Sequence, residues 1–83
     1  GIEDEDATKF VLFPNPVDNE LNLNNLNNST IVEIYNITGQ LVKTIDPGVG
    51  TSLTIDVAGL QTGVYFVNVH SEKGVQSSKF IKN

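Results

Sequence analysis

Apolar and polar residues alternate along short segments of the chain, and glycine, proline and asparagine separate these segments. The run from Leu53 to Val57 is the clearest, because every second residue in it is apolar. Side chains of a β-strand point alternately to the two faces of a sheet, so this spacing predicts strands with one buried face. Seven strands are predicted in this way, at residues 10–13, 20–24, 30–37, 40–45, 53–57, 65–70 and 76–82.

Seven short strands without a helical repeat predict an all-β fold, an immunoglobulin-like antiparallel β-sandwich. Segment 30–37 has apolar residues on both faces, which predicts a central strand whose outer side is partly covered. Thr38 and Gly39 then turn the chain into segment 40–45, because glycine adopts positive φ angles at little cost. The two segments are therefore expected to pair as a hairpin.

The residues from Leu60 to Tyr65 predict a corner between the sheets. Gly63 provides a turn just before the strand that carries Tyr65. In Greek-key sandwiches, a tyrosine at the start of a strand often turns its hydroxyl back onto an upstream main-chain group. We expect Tyr65 to make such a bond, the alternative being a ring exposed at the surface.

The 83 residues are enough for one domain with a thin core. At about 0.05 to 0.15 kcal/mol per residue, the free energy of unfolding should be about 4 to 12 kcal/mol. No cysteine is present, so no disulfide adds to this stability. Ten acidic residues outweigh five lysines and give a net charge of −5. Nucleic acid is not an expected partner, because its phosphates require a dense basic surface.

Residues 1–9 are predicted to be an acidic linker that precedes a folded domain at residues 10–83. The run Glu3-Asp4-Glu5-Asp6 opposes a compact structure by charge repulsion. It lacks the alternating ligands and turn glycine of a calcium loop. No apolar run approaches the ~20 residues that span a bilayer, and no segment has the layout of a signal peptide. A parent protein would have to supply that signal.

Catalytic chemistry has little support in this sequence. His70 is the only histidine, and it lies near the end of a predicted strand on the face opposite Tyr65. A lone histidine lacks the partners that acid–base or nucleophilic catalysis requires, so an exposed side chain is expected there. Zinc would need clustered histidine or cysteine ligands. We therefore expect a protein that is not an enzyme and has no cofactor.

Five short motifs occur in a fixed order along the chain. Together they resemble the type A C-terminal sorting domain of proteins exported by the bacterial type IX secretion system. The resemblance covers Phe10 to Asn83, and one departure is Phe13, where the family often has tyrosine. The motifs are Leu12-Phe13-Pro14-Asn15-Pro16, Leu21-Asn22-Leu23, Asn36-Ile37-Thr38-Gly39-Gln40, Leu60-Gln61-Thr62-Gly63-Val64-Tyr65 and Lys79-Phe80-Ile81-Lys82.

The resemblance implies a sorting signal carried at the end of a parent cargo protein. The parent would cross the inner membrane by its own N-terminal signal, fold in the periplasm, and pass an outer-membrane translocon to the cell surface or the exterior. A sortase-like protease would then remove the domain, with the linker residues Glu3, Asp4, Glu5, Asp6, Ala7 and Thr8 as the expected site of cleavage.

Two regions are candidates for recognition by the translocon. They are the turn formed by Pro14, Asn15 and Pro16 and the terminal residues Lys79, Phe80, Ile81 and Lys82. Each also has a structural interpretation, since prolines build rigid turns and Phe80 suits a core. An edge strand here could also accept a strand from a partner.

A different function is compatible with the same scaffold. The domain could be an immunoglobulin-like accessory, adhesion or carbohydrate-binding module of an extracellular protein. Sugar binding usually uses exposed aromatic platforms. The chain has no tryptophan, and most of its Phe and Tyr positions fit core or corner roles, which favours the sorting hypothesis.

Overall fold

The structure is a computed structural model that describes residues 9–83. The predicted all-β architecture is confirmed, because these residues form seven strands and no helix. Of the predicted linker at residues 1–9, only Lys9 lies among the described residues. The strands are β1 (Val11–Phe13), β2 (Glu20–Asn24), β3 (Ser29–Asn36), β4 (Leu41–Ile45), β5 (Leu53–Asp56), β6 (Gly63–Ser71) and β7 (Gly74–Lys82).

The strands form two antiparallel sheets, which together make the β-sandwich that the sequence predicts. One sheet has three strands in the order β1-β2-β5, and the other has four in the order β4-β3-β6-β7. Strand β3 is central in the larger sheet and pairs with β4 as a hairpin, as predicted. A bulge between Ile34 and Tyr35 shifts the register of that hairpin.

The core lies between the inner faces of the two sheets. In β2, β3, β6 and β7 the buried residues lie at alternate positions, so the period of two in the sequence determines which side chains of these strands enter the core. Val57 follows the last residue of β5 but is fully buried, and its N–H donates to the carbonyl of Asn19 (2.8 Å). The buried apolar residues are Phe10, Val17, Leu21, Leu23, Leu26, Val32, Ile34, Ile55, Val57, Tyr65, Val67, Val69 and Phe80.

The outer face of β3 is partly covered, as expected. Ile31 and Tyr35 are half-buried, whereas Ile37 is 68% exposed. The sequence placed Ile37 inside the strand, but the strand ends at Asn36. Asn36 begins the turn, so Ile37 belongs to the turn and not to the strand.

Residues 9–83 contain no helix that is long and apolar enough to cross a membrane.

Candidate functional site

The terminal strand β7 contributes two side chains to the interior. Phe80 is fully buried, and its ring stacks on that of Tyr65 with 5.4 Å between the centroids and 16° between the planes. Lys82 is only 7% exposed, and its Nζ donates to the carbonyl oxygen of Asn83 (2.8 Å). The hydrocarbon stem of a lysine can pack against apolar groups while its ammonium keeps a polar partner. The end of β7 is therefore an integral part of the sandwich.

Asn15 lies beside the outer edge of β7 and acts as a substitute for a paired strand. Its Oδ1 accepts a hydrogen bond from the N–H of Ile81 (2.9 Å), and its Nδ2 donates to the carbonyl of Lys79 (3.4 Å). One side-chain amide thus supplies the acceptor and donor that a neighbouring strand would offer. The peptide bonds before Pro14 and Pro16 are both cis.

Val17 continues this contact with main-chain bonds. Its N–H donates to the carbonyl of Ile81 (2.8 Å), and its carbonyl accepts from the N–H of Asn83 (2.9 Å), which makes a parallel bridge to β7. The side chain of Asn83 also donates to Asp18 (2.9 Å). We call the arrangement of residues 14–18 along residues 79–83 the clasp.

The corner before β6 holds Tyr65 in place. Its hydroxyl donates to the carbonyl of Gln61, four residues upstream, at 2.7 Å. This is the type of bond that the sequence leads us to expect for a corner tyrosine. Leu60 packs partly buried against the core, and its N–H donates to the carbonyl of Val57 (3.0 Å). Gly63 is the first residue of β6.

The β3–β4 turn depends on Asn36, which belongs to one of the sequence motifs but whose role in the turn was not predicted. Its Oδ1 accepts from the N–H and the hydroxyl of Thr38 (3.1 and 2.8 Å) and from the N–H of Gln40 (2.9 Å). Gly39 has φ +89°, the positive value that the turn requires. An asparagine followed two residues later by Thr-Gly is a sequence signal for such a turn.

The four motifs on these segments meet at one end of the sandwich. Pairing places Asn36 opposite Tyr65 and Gly63 opposite Lys82, while the clasp joins residues 14–18 to the same strand end. We call this the motif end, which contains residues 14–18, 36–40, 60–65 and 79–83. Segments up to 66 positions apart in the sequence thus become neighbours.

The chain enters at the opposite end. The N–H of Phe10 donates to Oε1 of Gln76 (3.0 Å), and the carbonyl of Lys9 accepts from Asn25 (2.8 Å). Gln76 lies near the start of β7, six residues before Lys82, which is about 20 Å along an extended strand. A cavity of about 470 Å³ lies at this end, beside Phe10, Leu26 and Val69.

A polar cluster occupies the outer face of the larger sheet. Nε2 of His70 lies 2.6 Å from Oε1 of Glu33, and the hydroxyl of Tyr35 donates to the same oxygen (3.0 Å). An ionised carboxylate only accepts, so Nε2 carries the hydrogen of that bond. His70 was expected to be exposed, but its side chain retains only 34% of its accessible surface. Sequence reasoning missed Glu33, which becomes its neighbour through β3–β6 pairing.

These contacts change two pKa values. The hydrogen bond from His70, supported by that from Tyr35, holds the pKa of Glu33 below its ordinary value although partial desolvation opposes this. The same carboxylate raises the pKa of Tyr35, since its hydrogen bond favours the protonated phenol. No cluster of three or more metal-ligating side chains occurs within residues 9–83.

The fold and the position of its motifs define an immunoglobulin-like β-sandwich whose sequence motifs gather at one end. A family model for secretion system C-terminal sorting domains matches residues 11–83. The chain therefore belongs to the family of type IX secretion C-terminal sorting domains. This is not a family of enzymes. No curated protein matches the chain.

Family membership supports a sorting signal that leads to the cell surface or the extracellular space. It also implies a cargo protein N-terminal to the domain and a type IX secretion machinery that receives it. The predicted recognition residues come together in the clasp. Their roles in recognition remain predictions.

Proposed function

We propose that the domain is a sorting signal that the type IX machinery recognises as a folded module. The observation that supports this is the clasp, in which the Pro-Asn-Pro turn and the terminal strand are held together by main-chain and side-chain hydrogen bonds. In an unfolded chain these two motifs would be separate segments without a common surface. Folding is therefore what creates a joint signal from them.

The two ends of the sandwich suit two different tasks. The motif end carries the candidate recognition residues, whereas Lys9 and Phe10 connect to the preceding chain at the far end. A machinery bound at the motif end would leave the cargo pointing away from the contact. This separation supports recognition and cleavage at different places on the module.

In this proposal, the parent protein passes through the periplasm before it crosses the outer membrane. A sortase-like protease then cuts within residues 3–8, where the sequence predicts an acidic linker. Proteases require an extended and accessible substrate. Replacing residues 3–8 with a Gly-Ser sequence of equal length should leave export intact but prevent the normal cut, so the exported product should differ in mass from the cleaved parent. If the product were still cut at the position used in the parent, cleavage within residues 3–8 would be contradicted.

Export is tested by fusing residues 1–83 to a folded reporter in a host with type IX secretion. We expect the reporter at the cell surface or in the medium, and deletion of residues 79–83 should stop its export. Retention of the intact fusion in the periplasm would contradict the proposal and favour an accessory module.

The requirement for folding is tested at a residue far from the motif end. Leu26 is buried near the entry of the chain, and Leu26→Ala should cost about 2 to 5 kcal/mol, enough to unfold much of a domain of this size. Val49→Ala, at a fully exposed loop position, is the control. We expect export to fall in parallel with the folded fraction measured by circular dichroism. Normal export of an unfolded Leu26→Ala fusion would contradict recognition of a folded module.

A further inference from the structure

We infer that the outward-facing side chains of the larger sheet at the motif end dock onto a subunit of the secretion machinery that presents apolar side chains beside an acidic group. The inference rests on the proposed function and adds to it the surface that is read and the chemistry of the partner. We call this surface the outer patch, formed by Tyr35, Leu41, Val64, Phe66, Lys79 and Ile81.

The outer patch begins as one row of side chains that crosses the sheet. Leu41 pairs with Tyr35, Tyr35 with Phe66, and Phe66 with Lys79. Residues paired across antiparallel strands project to the same face, so these four lie side by side over about 14 Å. Val64 and Ile81 form a second pair about 7 Å further toward the motif end.

Exposed apolar side chains are concentrated here. Leu41 is 51% exposed, Phe66 38% and Ile81 42%, although each belongs to a regular strand. The next row on the same face is polar, with Glu33 paired to Thr44 and Asn68. Six of the nine large apolar residues that are exposed within residues 9–83 lie in the motif end or within two positions of it. Three of these six, Leu41, Phe66 and Ile81, belong to the outer patch, and the others are Phe13, Ile37 and Val42.

The charges indicate the nature of the partner. On this face the carboxylate of Glu33 is engaged by His70 and Tyr35, whereas no carboxylate of residues 9–83 forms an ion pair with Lys79. Four of the ten acidic residues lie at positions 3–6, ahead of the domain, and residues 10–83 carry six acidic residues against four lysines. Lys79 is the charged member of the outer patch, so an acidic group on the partner would be attracted there and would fix the orientation of the complex.

The clasp argues against strand addition at the end of β7. Asn15 and Val17 already bond to the carbonyl of Lys79 and to both the N–H and the carbonyl of Ile81. A partner strand would have to displace them. Since the side chains of Phe80 and Lys82 are buried, Lys79 and Ile81 are the residues of this terminal motif whose side chains a partner can reach without unfolding the domain.

The size of the outer patch suits the centre of an interface. Specific interfaces bury about 800 Å² on each partner, yet a few central aromatic and apolar residues carry most of the binding energy. The patch supplies two aromatic rings and three aliphatic side chains within an area of about 14 by 7 Å. The polar row with Asn68 and the turn at residues 36–40 would form the rim.

The test uses export of the reporter fused to residues 1–83, with matched variants. Lys79→Glu should lower export about tenfold or more, because the new carboxylate would face an acidic group. Lys73→Glu makes the same change of net charge in the exposed β6–β7 turn and should stay within about twofold of the parent. Lys79→Arg keeps the charge and should retain export.

Ile81→Thr tests the apolar part of the patch, and Val75→Thr is its control. Both are exposed on the same face of β7 (42% and 55%), and threonine keeps the branched shape that strands favour. Export should fall about tenfold for Ile81→Thr and remain near the parent level for Val75→Thr. Circular dichroism melts identify variants that remain folded, and only these are compared.

Three results would overturn the inference. The first is export of folded Lys79→Glu and Ile81→Thr at the level of the exported parent fusion. The second is an equal loss in Lys73→Glu, which would assign the effect to net charge. The third is a dimer of the isolated chain in analytical ultracentrifugation that Ile81→Thr dissociates, which would make a second copy the occupant. Failure of the parent fusion itself to leave the cell would instead contradict the proposed function.

Discussion

Neighbouring residues of the last strand serve opposite sides of the molecule. Phe80 and Lys82 point into the sandwich and are buried, whereas Lys79 and Ile81 point outward from the same strand. Phe80 joins the core by stacking on the ring of Tyr65, and the ammonium of Lys82 donates to the main chain of Asn83. The outward pair continues the row of side chains that starts at Leu41.

This difference shows that the residues of one four-residue motif can have two roles, one in folding and one in binding a partner. Inward residues determine whether the domain folds, because a small domain has little stability to lose. Outward residues can be changed at little cost to folding, so any strong effect on export must come from contact with a partner. Substitutions at inward residues of the strand should therefore lower stability, whereas substitutions at outward residues should lower export without lowering stability.

The largest effect is expected from Phe80→Ala. Truncating a fully buried phenylalanine costs about 3 to 5 kcal/mol, which is comparable to the whole stability of a domain of this size. Phe66→Ala removes the same atoms from the outer face of the adjacent strand and should cost about 1 kcal/mol. Urea denaturation measures both, and equal losses would remove the distinction between the two faces.

Tyr65→Phe should have the next largest effect. The ring and its stacking on Phe80 are kept, but the carbonyl of Gln61 loses its 2.7 Å hydrogen bond. The bond is partly buried, and leaving its acceptor without a partner should cost about 1 to 3 kcal/mol. Tyr35→Phe is the matched control, since it removes a hydroxyl from the outer face. An unchanged urea midpoint for Tyr65→Phe would show that the hydrogen bond from Tyr65 to Gln61 does not stabilise the domain.

The fold could be predicted from the sequence because its signals are local. Alternation placed all seven strands, and glycine marked the β3–β4 turn. The differences lie at strand ends, as for Ile37, where the side chain of Asn36 decides the boundary and periodicity carries no information.

The candidate site could be predicted only as a set of residues. The motifs named Asn15 and Lys79 separately, but the bonds between them depend on how two distant segments pack. The outer patch was missed for a similar reason. Leu41, Tyr35 and Phe66 are adjacent only through register, which a bulge shifts by one residue. Alternation predicts which face a side chain occupies, whereas register determines its neighbours.

A smaller effect is expected from Asn15→Ala, which opens the clasp. The substitution removes two hydrogen bonds to the main chain of β7, and at this exposed site the loss should be about 1 kcal/mol. Amide hydrogen exchange should become faster at Ile81 and stay unchanged at Val67 in the middle of β6. Asn27→Ala is the control, since its side chain bonds only to Asn25 nearby (3.4 Å). Unchanged exchange at Ile81 would mean that Val17 alone holds the edge.

The smallest effect concerns the polar cluster on the outer face and depends on pH. The pKa of Glu33 is lower in the folded protein than its ordinary value of 4.5, so its ionised form contributes stability above that pH. The contribution should be lost as the pH falls from 4.5 through the folded pKa. Glu33→Gln should therefore be slightly less stable than the parent in urea at pH 7, and the two should converge at the acidic end. If the difference in unfolding free energy between the two proteins stayed the same at acidic pH, the charge of Glu33 would not be the source of this stability.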